Sequence, residues 1–528
     1  MRQNPDRLLR KGDYVHGSFV KPEQVDGYIN GVNPGDRSDV LGRFPFSLRS
    51  LEDAMESAQT GATRWRRTGL MDRAAAVRRF REQLLTCQEP AARLLTREVG
   101  KPLWESRQEV ASAVRAIDLF LDDGVGLLAP RVIEEISART DYLPRGIVGI
   151  VTPYNLPVLL GVTMSVASIL GGNAVVMKPS KFTPGIGQFL AELWDRCKLP
   201  RGVFNLVHGS GGVIGQRLVA HSRLDALLFV GGYDSAREVR KATAERPELP
   251  TVFQTGGKGI AIVLDDAAVD RAVYEVLVGA CLTAGQRHNS TARVIVTDRV
   301  YDLFVSELAR RMARIQIGYG MDERTLMGPV ISENFRNRFR KYARTVATRG
   351  HRTLMEADST DVPHYRGNYV RPGLYEIDWR NRNAFLNEEP PGPILMVYRV
   401  NEVEEAAAIH NQAAFRLSTA VFTHPENPVL GELKEMVRTG SLNINRGTIG
   451  TSLRLPSIGV GRSANGIPAG IELMRVVTYP RTSILETRPF DDTNLVPGIR
   501  WHEGESIEPD PTTDEDSELE GTLELAVD

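Results

Sequence analysis

The chain has 528 residues, 42% of them hydrophobic and 25% charged, with a formal net charge of -1. That length carries two core-bearing domains, while the balanced charge gives no electrostatic footprint for nucleic acid. No apolar run reaches membrane-spanning length and no signal-peptide apolar region follows Met1, so a cytoplasmic protein is expected.

Residues 1–25 are polar, lack periodicity and read as an N-terminal arm. Ser50 to Trp65 and Leu70 to Cys87 place apolar residues at helical spacing, with Ser50 and Asp72 as N-caps. Gly100-Lys-Pro-Leu-Trp-Glu105 opens another helix, and Val132 to Tyr142 reads as a hairpin arm. From Gly146, apolar strands alternate with helices: 146–153, 173–179, 204–209 and 226–231 are the strands. This pattern predicts a parallel, doubly wound sheet that binds nucleotide at its carboxyl ends.

A second alternation starts at Gly259, with strands expected at 259–264, 293–297, 393–400, 418–423 and 441–445. Arg475 to Leu485 reads as a returning strand. From Trp501 onward the chain has many Asp and Glu and no Lys or Arg. Residues 489–528 therefore read as an acidic, disordered tail, or, at Leu519 to Asp528, as an amphipathic segment that docks on a protein partner. The three cysteines, Cys87, Cys197 and Cys281, form no CxxC pair, and no metal site is expected.

One bend organises the rest. Thr283-Ala284-Gly285-Gln286-Arg287-His288-Asn289-Ser290 joins an apolar helix, Ala267 to Leu282, to a β-branched strand led by Arg293. Gly285 is expected to break the helix and turn the backbone. Thr-Ala-Gly-Gln-Arg, a reactive position, and then an Arg-led strand resemble the nucleophile loop of the aldehyde dehydrogenase superfamily, nearest to its succinylglutamate-semialdehyde branch.

The resemblance spans about Tyr28 to Glu486. It implies an α/β, aldehyde dehydrogenase-like fold with two doubly wound domains and a small β oligomerisation element. The implied boundaries are 26–130 and 146–255 for the dinucleotide-binding domain, 256–469 for the catalytic-type domain, and 131–145 with 470–488 for the oligomerisation element. A homo-oligomer, dimer or tetramer, follows from the same likeness.

The resemblance also implies roles. His288 stands where the family has its cysteine. Asn155, in Pro153-Tyr154-Asn155-Leu156-Pro157, matches the oxyanion donor, and Gln254 stands at the general-base glutamate, where an amide cannot take a proton. Lys178 matches the ribose-binding lysine. Lys181 follows at a position that is acidic in NAD-specific members, and an ammonium there pairs with a 2′-phosphate. Gly231 and Gly232 match the pyrophosphate turn and Glu389 the acid that grips the nicotinamide ribose. Pro391 and Ser457 stand where the family has aromatics.

The cofactor is expected to be NADP or NAD, with NADP favoured, or none. The leading reading is an oligomeric pseudoenzyme or scaffold with impaired aldehyde oxidation. The alternatives are a working NAD(P)-dependent semialdehyde dehydrogenase using His288, Asn155 and Glu389, and a hydrolase or lyase with His288 as base. Cys281 is expected to pack as a small hydrophobe.

Overall fold

A computed structural model describes residues 11–349, 352–380, 385–450, 452–493, 495–496, 498–499 and 501. The first ten residues of the arm and the acidic segment beyond 501 lie outside the described residues.

The first sheet is built from β1 (Asp13–Val15), β2 (Ser18–Val20), β3 (Ile147–Val151), β4 (Ala174–Lys178), β5 (Phe204–Leu206), β6 (Ala226–Val230) and β7 (Thr251–Gln254), in the order β7-β6-β3-β4-β5-β1-β2. Strands β3 to β7 are parallel. β3 and β6, and β4 up to its final Lys178, are unbroken apolar runs because helices cover both their faces. Val148, Ile150, Val175 and Met177 enter one core. The alternating residues Ile147, Ala174 and Val176 enter another with Leu51, Ala54 and Met55 of α1 (Leu48–Trp65). The first core also takes in α2 (Leu103–Leu119) and α3 (Pro157–Leu170), and nearly every residue of α3 is buried.

Two local expectations change. α1 is capped by Ser47, whose side chain accepts from Arg49 N, so Ser50 lies within the helix and is buried. The next helix, Leu70–Thr86, follows Gly69, and Asp72 sits in its first turn. Residues 13–20, read as part of a featureless arm, form a hairpin that joins the sheet edge through Tyr14 and Leu206. Its anchor is Asp13, buried, which accepts from His208 N at 2.8 Å and pairs with His208 Nδ1 at 2.9 Å.

The second sheet contains β8 (Gly259–Val263), β9 (Thr291–Thr297), β10 (Arg352–Met355), β11 (Gly373–Glu376), β12 (Ile394–Val400), β13 (Ser418–Phe422) and β14 (Ser441–Ile444). Their order is β10-β11-β12-β9-β8-β13-β14, and every pairing is parallel except β10 with β11. α4 (Val269–Cys281) leads from β8 to the bend that precedes β9.

The described residues divide into a large compact unit, 11–131 with 140–481, and a small one, 132–139 with those from 482 to 501. Arg131–Ile133, Ala138–Pro144 and Thr478–Ile484 form a separate three-stranded sheet. A short helix, Leu473–Val476, precedes its last strand, where the sequence suggested a strand from Arg475. No helix among the described residues is long and apolar enough to cross a membrane.

Candidate active site

The bend is more strained than a single glycine break. α4 ends at Cys281, and Thr283, Ala284 and Gly285 then adopt φ of 53°, 51° and 67°. Left-handed backbone costs about 1–2 kcal/mol for each residue that carries a Cβ, so Thr283 and Ala284 must be held there. Gly285 is required for a second reason: an added Cβ would lie 2.7 Å from the backbone of Gly392 and Pro393.

Two charged side chains hold the bend, Glu105 through its donors and Lys258 through its carbonyls. Glu105, fully buried on α2, accepts from Thr283 N at 3.1 Å, from Thr283 Oγ1, and from Arg287 Nη2 at 2.7 Å. Burial pushes this carboxyl up, but the Arg287 guanidinium and the Lys101 ammonium outweigh it and hold the acid below its ordinary value. Lys258, also buried, donates its Nζ to Gly285 O and, at 3.5 Å, to Arg287 O. Burial lowers its ammonium to about 8, against the pull of Glu389.

α2 braces a second loop as well. Glu109, one turn beyond Glu105 on the same helical face, pairs with buried Lys101 and accepts from Val158 N at 2.9 Å and Leu159 N at 3.2 Å. It thereby fixes the start of α3, immediately after Asn155. Asn155 is buried and donates its Nδ2 to Gln286 O at 2.9 Å. Gln286 in turn donates to Thr283 O at 2.8 Å and accepts from Ile331 N at 2.9 Å. Tyr154, Phe182 and Phe335 stack edge to face beside this loop, with centroids 5.6 to 6.1 Å apart.

His288 follows directly and is half-buried. Its Nδ1 is shielded and has no hydrogen-bond partner among the described residues, and neither has Asn155 Oδ1. Burial, then the Arg287 and Lys258 charges, depress the imidazole to about 4, so the ring is neutral at physiological pH. No thiol stands in for it: Cys281 is fully buried, and burial pushes its thiol up to about 12.

Gln254 ends β7, half-buried, with Nε2 3.4 Å from Ser457 Oγ. The turn that follows it, Thr255 to Lys258, cradles Glu389, which accepts from the backbone of Gly257 and Lys258. The fit is close, since a Cβ on Gly256 would lie 1.9 Å from Glu389 Oε1. Burial raises the Glu389 carboxyl, with Lys258 and Arg293 opposing the rise. Arg293, fully buried on β9, donates to Phe385 O at 2.9 Å and to Glu388 O, fixing the loop that carries Glu389.

The predicted site residues therefore form two groups. Asn155 and Gln286 are hydrogen-bonded to each other and to the bend that carries His288, and Lys258 links that bend to the turn between Gln254 and Glu389. The other group lies along the carboxyl ends of the first sheet. Lys178 is buried at the end of β4 and donates to Pro179 O at 2.8 Å and Gly209 O at 3.4 Å; burial, then Lys181, lowers its ammonium to about 8. Lys181 is exposed, its Nζ 5.1 Å from the centre of the Phe182 ring.

Gly231 follows β6 and donates to Gln254 O at 3.1 Å, while Gly232 caps helix Tyr233–Ala242. A Cβ added to Gly211, Gly212 or Gly232 would meet nothing within 4 Å, so the backbone at two helix starts faces open space. This glycine-lined, lysine-flanked edge fits the pyrophosphate and adenosine half of a dinucleotide. At the other end, Glu389 is turned onto the Gly256–Lys258 backbone.

Sequence reasoning passed over Glu105, Lys258 and Arg293 as site residues. The signal for Glu105 was a pair of carboxylates, Glu105 and Glu109, one turn apart among the residues the helix buries. The signal for Lys258 was a lysine placed directly before a fully buried strand.

Two α/β sheets, one edged by a glycine-lined nucleotide cradle and the other by a strained bend beside an amide donor, define the fold of dinucleotide-linked aldehyde oxidoreductases. The chain belongs to the aldehyde dehydrogenase family, whose profile matches residues 19–483. It is 31% identical over 480 residues to an N-succinylglutamate 5-semialdehyde dehydrogenase of Burkholderia mallei (strain SAVP1), covering 89% of this chain and 96% of the relative. Among solved structures, HpcC from Thermus thermophilus superposes with a TM-score of 0.86 at 26% identity, covering 93% of this chain and 96% of the other. An E. coli NADP-dependent enzyme superposes with a TM-score of 0.84, again at 26% identity, over 91% of this chain and 99% of the other.

Proposed function

We propose that the protein is an aldehyde dehydrogenase-family pseudoenzyme: it retains a dinucleotide cradle but does not oxidise aldehydes through a thioester. The observation that carries this reading is that His288 follows the strained bend with its Nδ1 unpartnered while Cys281, at the end of α4, is fully buried; burial keeps the imidazole neutral and the thiol protonated. On this reading His288 occupies the family's cysteine position and Gln254 that of its base. A thiolate adds to an aldehyde to give a thioether-bound oxyanion, which expels hydride and leaves an acyl thioester for water to cleave, whereas a neutral imidazole gives a cationic nitrogen adduct that is a poor hydride donor. Gln254, held near Ser457, offers an amide where water activation calls for a proton acceptor.

The rest of the site can still bind. Asn155 keeps one amide hydrogen beyond its bond to Gln286, directed by the α3 start that Glu109 pins. A bound dinucleotide would accept hydride if chemistry occurred; Lys178, Gly231 and Gly232 would hold it, and Lys181 favours NADP over NAD. Glu389 reaches a nicotinamide ribose only after leaving the Gly257 and Lys258 N–H groups. The family likeness also supports assembly as a homo-oligomer.

The test is calorimetry with NADP and NAD, followed by absorbance at the reduced-nicotinamide band with aliphatic semialdehydes offered. NADP binding without turnover supports the proposal; steady reduction of the cofactor overturns it. The unpartnered His288 Nδ1 favours a second reading, a weak hydrolase with His288 as base on water. Cofactor-independent ester cleavage that His288→Gln abolishes would replace the first reading with the second.

A further inference from the structure

A cavity of about 340 Å³ lies at the amino ends of the first sheet, away from the carboxyl-end loops described above. Gly146 and Ile147, at the start of β3, line it, as does Asp225, the residue before β6. The last turns of α1 add Gln59 and Thr63, and Arg66 follows them; the remaining charges are Arg145 and Arg223. Three guanidiniums thus face one carboxylate.

Their partners are few. Arg145 donates its Nε to Val476 O at 2.6 Å. Neither Arg66 nor Arg223 has a carboxylate partner among the described residues, and both are exposed at the cavity. Asp225 Oδ2 is occupied by Ile147 N at 2.8 Å, and burial raises its carboxyl. The α1 carboxyl end contributes about half a negative charge, which leaves the balance positive. Gathering like charges around a concavity costs free energy that a bound anion would recover, and the planar guanidinium fork matches carboxylate or phosphate oxygens two at a time.

We propose that this cavity is a binding site for a small anion of charge two or more, presenting carboxylate or phosphate oxygens to Arg66, Arg145 and Arg223. The volume falls in the range of small-ligand pockets. It admits a compact dianion, and its polar lining offers little to an apolar ligand. The Gln59 amide supplies a neutral donor at the rim, the Thr63 hydroxyl donates to Gln59 O at 3.0 Å, and Asp225 limits affinity from one wall.

The experiment is isothermal titration of the full-length protein with succinate and, separately, with inorganic pyrophosphate, the two arms distinguishing carboxylate from phosphate chemistry. Binding of either is expected, and the double variant Arg66→Ala with Arg223→Ala is expected to weaken it ~10- to 100-fold, since two charge-assisted hydrogen-bond donors are removed. Asp225→Asn keeps an acceptor for Ile147 N and removes the opposing charge, so it should tighten binding several-fold. That sign cannot arise from simple structural damage. NADP saturation should leave the anion bound. No binding of either probe, binding displaced by NADP, or binding indifferent to both sets of variants would each overturn the proposal.

Discussion

Arg287 places its Nη2 2.7 Å from Oε1 of Glu105, a residue 182 positions earlier in the chain, and both lie in the wall of the bend. The same carboxylate holds Thr283 in its left-handed conformation. A carboxylate buried on α2 thus offsets the backbone strain that aims residue 288.

Glu105→Ala should therefore cost the protein about 3–5 kcal/mol, because it leaves Arg287 and Thr283 uncompensated in a buried site. Glu105→Gln keeps an acceptor and should cost less. Urea unfolding at neutral pH checks both. Equal midpoints for wild type and Glu105→Ala would show that this carboxylate does not hold the bend.

Stability should also depend on pH in two separable windows. His288 titrates near 4 in the folded state against an ordinary 6.5, so the unfolded chain binds more protons between those values. Its contribution is complete above about 6.5 and is lost as pH falls toward 4, a loss on the order of 3 kcal/mol. Glu105, held below its ordinary 4.5, loses its contribution only as pH falls below that value. Thermal melts from pH 7 to 3 should show His288→Gln reducing the slope of the upper window alone, the remainder coming from His410, which burial likewise lowers to about 4. A parallel shift of the whole curve would contradict the assignment.

Lys181 has no ion pair among the described residues and stands free for a 2′-phosphate. Calorimetry should find NADP bound more tightly than NAD. Lys181→Glu should reverse the order, by roughly 1.5–3 kcal/mol for removing one hydrogen bond between charged groups. Tighter NAD binding by the unmodified protein would show that another residue sets the choice.

How much of this was legible in the sequence depended on whether the signal was local. β3, β4, β6, β8 and β9 were readable because strands buried on both faces are written as apolar or β-branched runs, broken here only by Lys178 and Arg293, which the site uses. β1 and β2 were missed because three-residue strands carry too little periodicity, and what fixes them is the distant pair Asp13 and His208. β10 was missed because neither of its faces is fully buried. At the site, Asn155, Lys178, Gln254, His288 and Glu389 stood inside recognisable motifs. Glu105 did not, because its partners lie nearly two hundred residues away and no spacing rule connects them. The short helix Gln216–Val219 begins as a wider turn, Gly211–Gly215.

His288→Cys alone should acylate slowly and then stall, because Gln254 cannot deprotonate the water that releases the acyl group. Adding Gln254→Glu should raise turnover beyond the sum of the two single changes, since nucleophile and base act as a unit. Burst and steady-state phases measured with a semialdehyde and NADP separate the two steps. A double variant no better than His288→Cys would place the limiting defect elsewhere, at Pro391 or Ser457.

The most direct test of the central claim is the steady-state rate of NAD(P) reduction by the unmodified protein offered saturating semialdehyde. The expected rate is indistinguishable from that of enzyme-free buffer and unchanged in Cys281→Ser. Sustained cofactor reduction abolished by His288→Gln would contradict the claim, because the imidazole would then be carrying the chemistry assigned here to an absent thiolate.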